Sequence, residues 1–324
     1  MIMTMVQAIN RTLAGEMERD DRIVMFGEDV GRDGGVFRAT EGLFDKFGPD
    51  RVMDTPLAES GAIGAAIGMA ALGLRPIAEI QFMGFIYPAF NQIVSHLARL
   101  RNRTRGRFTA PVTIRTPYGA GVKALEHHSE STEALFCHIP GLTVVVPSNP
   151  FDAKGLLAAS IRSDDPVIFL EPTKLYRSEK QEVPEDPYEV PLRRAAIVRE
   201  GRNLTIVAWG AMIPVAREAA SAAEAAGISA EIVDLRTLCP MDREAILASV
   251  KKTGRALVLH EAPKTCGLGA EISAIIGESA LLSLTAPVMR VTAPDITVPL
   301  SKSEGFYYPN ADRVLRAVRK LMEY

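Results

Sequence analysis

A glutamate at the mouth of a glycine-rich helix, Glu59 in DTPLAE (54–59), is the first residue of this 324-residue chain whose type and place could do chemistry. Beside it stand Glu28 in GED (27–29), the GGVF loop (34–37), Gln81 and Phe85 in and after AEIQF (78–82), and the pair His127-His128 followed by Ser129. Each stretch lies just past a short apolar run, where an open α/β sheet places its functional loops. Carboxyl and imidazole groups hold and move protons, and an aromatic face can stack on a flat ring. Plain explanations also exist. Acids favour first turns because they complement the helix dipole, an aromatic past a strand can be core, and loop histidines and acids can simply be solvated.

The elements that must position these residues are read from periodicity. Met5, Val6, Ile9, Leu13 and Met17 recur at helical spacing, and a buried-strand run, Ile23 to Phe26, follows. Helical material is expected over about 40–47, 59–72, 86–103 and 151–162, and strands near 51–53, 75–80, 112–115, 142–146 and 167–170. Apolar strands alternating with helices imply a parallel sheet covered on both faces. Residues 171–193 hold several prolines and many charges with no apolar period, the composition of a linker. A second α/β unit follows, with strands near 204–208, 229–234, 256–259 and 288–292 and helices near 212–226, 242–252, 269–282 and 310–322. Two domains are expected, 1–185 with a linker to about 194, and 195–324. Three glycines, Gly61, Gly64 and Gly68, fall inside one expected helix, where each costs about 0.5–1 kcal/mol relative to Ala. Close packing within the domain or a helix crossing between subunits would explain them.

Composition narrows the class. Apolar residues make up 47% and the mean hydropathy is +0.08, enough for a buried interior. With 37 basic against 39 acidic residues, nothing attracts the chain to nucleic acid. Cys137, Cys239 and Cys266 are sparse and lack metal spacing, as expected of reduced thiols in the cytoplasm. No run approaches the roughly 18 apolar residues of a membrane span.

Taken together, GED, GGVF, DTPLAE, AEIQF and His128-Ser129 resemble the beta subunit of the decarboxylating component of 2-oxo acid dehydrogenase complexes, over essentially the whole chain. The resemblance implies a parallel-sheet, pyrimidine-type thiamine diphosphate domain followed by a transketolase-type C-terminal α/β domain. LTIVAWG (204–210), EIVDLRTLCPMD (231–242) and KTGRALVLHEA (252–262) carry the second half of the match. It further implies that Glu59 hydrogen-bonds the aminopyrimidine of thiamine diphosphate and so favours its imino tautomer. To donate at neutral pH, that carboxyl needs apolar walls, for which Leu57, Ala58 and the Gly/Ala helix are suitable. Phe85 would stack on the ring, Gln81 and Leu57 would line the pocket, and Glu28 would belong to a polar channel between paired sites. His128 would bind intermediates and act as acid/base while the acyl group passes to a lipoyl arm. A structural potassium ion would be held by main-chain carbonyls at Val112, Ser160, Ile161, Ser163 and Asp165. Here Ser163 stands where an acid is usual and Asp165 where an amide is.

What is missing is informative too. There is no GDG motif with a following Asn, the device that anchors the diphosphate through Mg²⁺, and the glycine-rich GRDGG (31–35) lacks a matching Asn. GxGxxG and GxxxxGK[ST] are also missing. The resemblance therefore implies an alpha subunit that supplies the diphosphate side and Mg²⁺, in an α2β2 heterotetramer. It also implies an acyltransferase core docked by its peripheral subunit-binding domain, with whose basic groups acids near the C-terminus and the Tyr324 carboxylate could pair. AEIQF, GVFRAT and VAWG lean toward branched-chain enzymes, while Phe85 and VTAPDITVP (291–299) lean toward pyruvate or acetoin enzymes. An acetoin dehydrogenase beta subunit and a non-catalytic assembly module of the same fold are the alternatives.

Overall fold

Why the first half folds as it does is visible in its strands. Ile23–Gly27, Arg75–Glu79, Thr113–Tyr118, Thr143–Val145 and Val167–Pro172 are buried at every position, as parallel strands covered on both faces must be. The computed structural model describes all 324 residues. Its first sheet has seven strands, in the spatial order 237–239, 143–145, 167–172, 113–118, 75–79, 23–27 and 52–54. All neighbours run parallel except the edge strand Thr237–Cys239, which pairs antiparallel with Thr143–Val145.

Helix Met5–Arg19 begins at a capping box, with the Thr4 side chain accepting from Gln7 N and the Gln7 side chain from Thr4 N. Its predicted apolar stripe, Met5, Ile9, Leu13 and Met17, is fully buried. The stripe packs against helix Pro150–Arg162, which starts at an Asn149 cap. A 2.6 Å ion pair between Arg162 and Glu16 joins the two helices.

The second sheet has the order 289–293, 256–263, 204–208, 230–234 and 196–199, parallel except for the last strand. Helices Met212–Glu224 and Ala311–Met322 pack together on one side of it, and Arg243–Thr253 packs with Leu268–Ala280. No helix is long and apolar enough to cross a membrane.

Three expectations change. The helix expected over 86–103 is a chain of tighter and wider turns, 3₁₀ over Met83–Ala89, π over Gln92–His96, 3₁₀ over Leu97–Arg99 and α only over Leu100–Arg103. Pro88 lies inside it and removes an amide donor. Strand Thr237–Cys239 and the short helix Glu133–Cys137 were not expected. The linker stretch contains a small antiparallel pair, Gln181–Glu182 against Ile2–Met3, that ties it to the N-terminus.

Candidate active site

The site gathers at the C-terminal ends of the first sheet's strands. A buried ion cluster underlies it. Adjacent register sets Glu79 beside Arg115 on neighbouring strands, and the Arg115 strand runs next to the one carrying Glu171. Arg115 donates from Nε and one terminal nitrogen to Glu171 (2.6 and 3.0 Å) and from the other to Glu79 (2.8 Å). The Tyr176 hydroxyl donates to Glu171 at 2.6 Å. None of these three charged residues is more than 7% exposed. Burial pushes the Glu79 carboxyl above its ordinary range, against the pull of Arg115. Sequence reading missed this cluster, although charged residues inside otherwise apolar strands were its signal.

The loops rest on that base. Gly35 has φ +77°, and a Cβ there would lie 3.3 Å from Glu79 Oε1, so the GGVF loop can lie flat on the cluster only with glycine at this turn. Phe37 of that loop packs edge-on against Phe82 at 5.5 Å. Phe82, also missed from sequence, is the hub of an aromatic wall with Phe85 at 5.4 Å and His128 at 4.5 Å. His128 lies 5.2 Å from Phe85, so these two expected site residues are brought together. Their segments touch because Gly84 has no side chain; a Cβ there would sit 2.2 Å from the His127 carbonyl. His128 Nδ1 is buried without a hydrogen-bond partner in this chain.

Glu59 is the first residue of helix Glu59–Ala71, which packs against the Phe85 turn. Its cap residue, Ala58, supplies no side-chain acceptor, and Glu59 is the acidic residue of the first turn. Glu28 is close by. Burial raises its pKa, and the negative charges of Glu59 and Asp29 raise it further. Gln81 donates to the Glu28 carbonyl (3.4 Å) and to Asp29 Oδ2 (2.8 Å), holding the GED turn, where Asp29 has φ +57°. Five expected residues, Glu28, Glu59, Gln81, Phe85 and His128, thus converge on one end of the sheet.

The expected apolar walls do not close. Leu57 is 83% exposed, Ala58 is exposed and Glu59 is half-buried. The loop leading into the helix follows the edge strand Val52–Asp54 and is left exposed in this chain.

The glycine-rich loop near the site has two of its amides occupied. Gly31 N donates to Asp54 Oδ1 at 2.6 Å and Arg32 N to its other oxygen at 3.4 Å. These amides of the GRDGG loop are spent on a carboxylate that would repel a phosphate. No group of three His, Cys, Asp or Glu side chains could hold a metal ion. The residues present fit the pyrimidine half of thiamine diphosphate and not its charged tail.

The main-chain carbonyls expected to hold potassium already accept hydrogen bonds. Arg75 donates to the carbonyls of Ile161 (3.0 Å) and Ser163 (2.6 Å) and pairs with Asp164 at 3.0 Å. The Val112, Ser160 and Asp165 carbonyls accept from Val167 N, Ser163 N and Ser163 Oγ. An ion would have to share carbonyls already engaged, beside a guanidinium.

Two domain models match in order: the transketolase pyrimidine-binding domain over residues 2–179 and the transketolase C-terminal domain over 193–314. The fold and site therefore define a transketolase-like thiamine diphosphate protein that carries the pyrimidine side. The pyruvate dehydrogenase E1 component subunit beta of Acholeplasma laidlawii is 52% identical over 99% of this chain and 98% of its own length. That of Bacillus subtilis (strain 168) is 52% identical and that of Staphylococcus epidermidis 48%, each over 99% of both chains. The chain belongs to the family of beta subunits of the decarboxylating, first component of 2-oxo acid dehydrogenases, an oxidoreductase family. A solved structure described as split gene transketolase, an inactive beta4 tetramer, aligns with TM-score 0.82 over 99% of this chain and 98% of its own, at 24% identity, a likeness of fold.

Proposed function

We propose that this chain is the beta half of a pyruvate-decarboxylating, thiamine diphosphate-dependent enzyme that acts with an alpha subunit in an α2β2 assembly in the cytoplasm. One observation carries the reading. Glu28 and Glu59 interact at the same end of the sheet as the Phe85–His128 pair, while the Gly31 and Arg32 amides of the glycine-rich loop are bound to Asp54. Pyruvate as substrate rests on the relatives named above. The two proposed units are 1–185 and 195–324, with the second serving assembly.

When bound, thiamine diphosphate supplies the nucleophilic carbon and the electron sink for loss of carbon dioxide. In the proposal Glu59 holds a proton toward the ring nitrogen, and Phe85 offers a face for stacking worth about 0.5–1.5 kcal/mol. His128 exchanges a proton at its unpartnered nitrogen. The walls around Glu59, Mg²⁺ and the diphosphate contacts come from the alpha subunit.

Bare surfaces of this chain support partners. Cβ atoms at Gly61 and Gly68 would meet nothing beyond Ala58, and one at Gly64 would only graze Gln92 at 3.9 Å, so packing inside this chain does not explain the three glycines. A helix of another subunit lying on this face does. Leu281 and Leu282 are 63% and 101% exposed beside helix Leu268–Ala280, and with Tyr324 they are candidates for docking the acyltransferase core.

Titration with thiamine diphosphate and Mg²⁺, for the chain alone and mixed with its alpha partner, tests the proposal. Saturable binding is expected only in the mixture; tight binding to this chain alone overturns it. The His128 role has its own test in the reconstituted assembly. His128→Ala should cut reductive acylation of lipoyl domain by about a hundredfold or more while sparing decarboxylation with an artificial acceptor. Equal losses in the two assays would remove His128 from acyl transfer.

A further inference from the structure

The segment 119–132 carries His128 yet contains only one short 3₁₀ turn, Glu126–His128. Its neck is closed by Gly119 N donating to the Glu130 carbonyl at 3.0 Å. Beyond that, much of what holds it comes from the second half of the chain. Ala120 N donates to Glu261 Oε2 (3.2 Å) and Gly121 N to Glu304 Oε1 (3.1 Å). The Tyr308 hydroxyl donates to the carbonyl of Ser129, next to His128, at 2.6 Å. At the far end, Trp209 Nε1 donates to Glu133 Oε1 at 3.3 Å.

Glu261 is the closest-fitting of these. It lies near the C-terminal end of strand Ala256–Pro263 and is 2% exposed. Gly119, at φ +77°, lies so close that a Cβ would come 2.5 Å from Glu261 Oε1. That oxygen has no hydrogen-bond partner in this chain, and neither have the buried hydroxyls of Ser129 and Ser131. All three residues line one cleft of about 140 Å³ between the two halves. We propose that Glu261, with Tyr308, is a positioning residue through which the C-terminal domain sets the His128 segment against the Phe82–Phe85 wall. Its relevance to catalysis rests on the reading of His128 above.

The chemistry asks for an uncharged carboxyl. Both oxygens of a buried carboxylate would need donors, and only Ala120 N is supplied; a neutral carboxyl can itself donate into the cleft. Burial, aided by Glu133 and Glu304, raises the Glu261 pKa to about 8, against the lowering effect of the Ala120 amide and Lys174. Glu133, whose own value burial raises to about 7, faces it from the first half, as does Tyr118. Tyr307 and Tyr308 face it from the 304–308 segment and stay neutral over the working range. His260, on the same strand, turns away and stacks on Trp209 at 5.3 Å. Ionisation of Glu261 therefore adds a charge beside acids with Lys174 alone to answer it, and loosens the segment.

Hydrogen exchange of the full chain between pH 7 and pH 9, corrected for intrinsic rates, reads this directly. Protection of peptides within 119–132 should fall about tenfold in the wild type, following the neutral fraction of a group titrating at about 8. Glu261→Gln keeps an uncharged donor and should remove most of that fall, leaving only the part that ionisation of Glu133 contributes. An equal fall in Glu261→Gln, or none in the wild type, overturns the proposal. Tyr308→Phe should reduce protection at both pH values, and unchanged protection counts against the proposal as well. In the reconstituted assembly, Glu261→Gln should move the alkaline loss of reductive acylation to higher pH without changing the rate at pH 7. If the exchange results hold but His128→Ala leaves acylation intact, the positioning stands and the role of His128 falls.

Discussion

Glu59→Gln is expected to abolish cofactor-dependent decarboxylation in the reconstituted assembly, by at least about a hundredfold in kcat, while leaving the chain folded and able to assemble. Glutamine keeps the volume and can still fill the first turn of helix Glu59–Ala71, so the helix persists. What it loses is an acid able to donate to a ring nitrogen and take the proton back. The variant also removes a negative charge from beside Glu28, whose pKa is raised in part by that charge. The pKa of Glu28 should therefore move down toward its ordinary value, which pH titration of the variant would detect independently of turnover. Steady-state decarboxylation with an artificial acceptor is the deciding assay. A kcat within tenfold of wild type would remove Glu59 from the chemistry.

The second large effect concerns stability. Arg115→Leu leaves Glu79 and Glu171 facing each other in the core with no cation, and breaking a buried pair in this way costs about 3–5 kcal/mol. Both acids are at most 7% exposed, so water cannot replace the guanidinium. At roughly 2–4 °C per kcal/mol for a domain of this size, thermal denaturation of the full chain should come about 10 °C lower. Replacing all three residues by apolar ones of similar volume should recover much of the loss, because the desolvation of three charges disappears with them. The loss should also depend on pH. Burial raises the Glu79 pKa, and removing Arg115 removes the group opposing that rise. A raised carboxyl favours the fold below its unfolded pKa, and that contribution is lost as pH climbs through the folded value. The variant should thus be least deficient at acid pH. An unchanged midpoint in urea would show that the cluster carries no stability.

How much of this was legible from residues alone differs by element. Helix Met5–Arg19 and strands Ile23–Gly27 and Val167–Pro172 announce themselves, because local periodicity and burial agree. Glu59, Phe85, Gln81, Glu28 and His128 lie in or beside the stretches that carry the family resemblance, and their convergence is a matter of topology. Leu57 and Ala58 read as pocket walls because apolar residues beside an acid suggest burial; in this chain they project outward, and no pattern in the sequence encodes what covers them. Phe82 bears no local mark that sets it apart as a site residue, although its ring touches that of Phe85. The turns over 83–99 look helical by composition, and Pro88 together with the tight contact at Gly84 breaks the regular bonding. Glu261 and Tyr308 could not be linked to His128 by any local signal, since 133 and 180 positions separate them (261 − 128 and 308 − 128).

Strand Thr237–Cys239 has a consequence for anyone dissecting the molecule. It belongs by sequence to the second half but completes the edge of the first sheet, pairing with Val144 and Val145. A fragment stopped at the linker would bare that edge, a row of unpaired amides and carbonyls on an apolar strand, and invite intermolecular strand addition. The two halves are thus stitched by strand pairing as well as joined by the linker, and separate expression of either piece severs a seam as well as a tether.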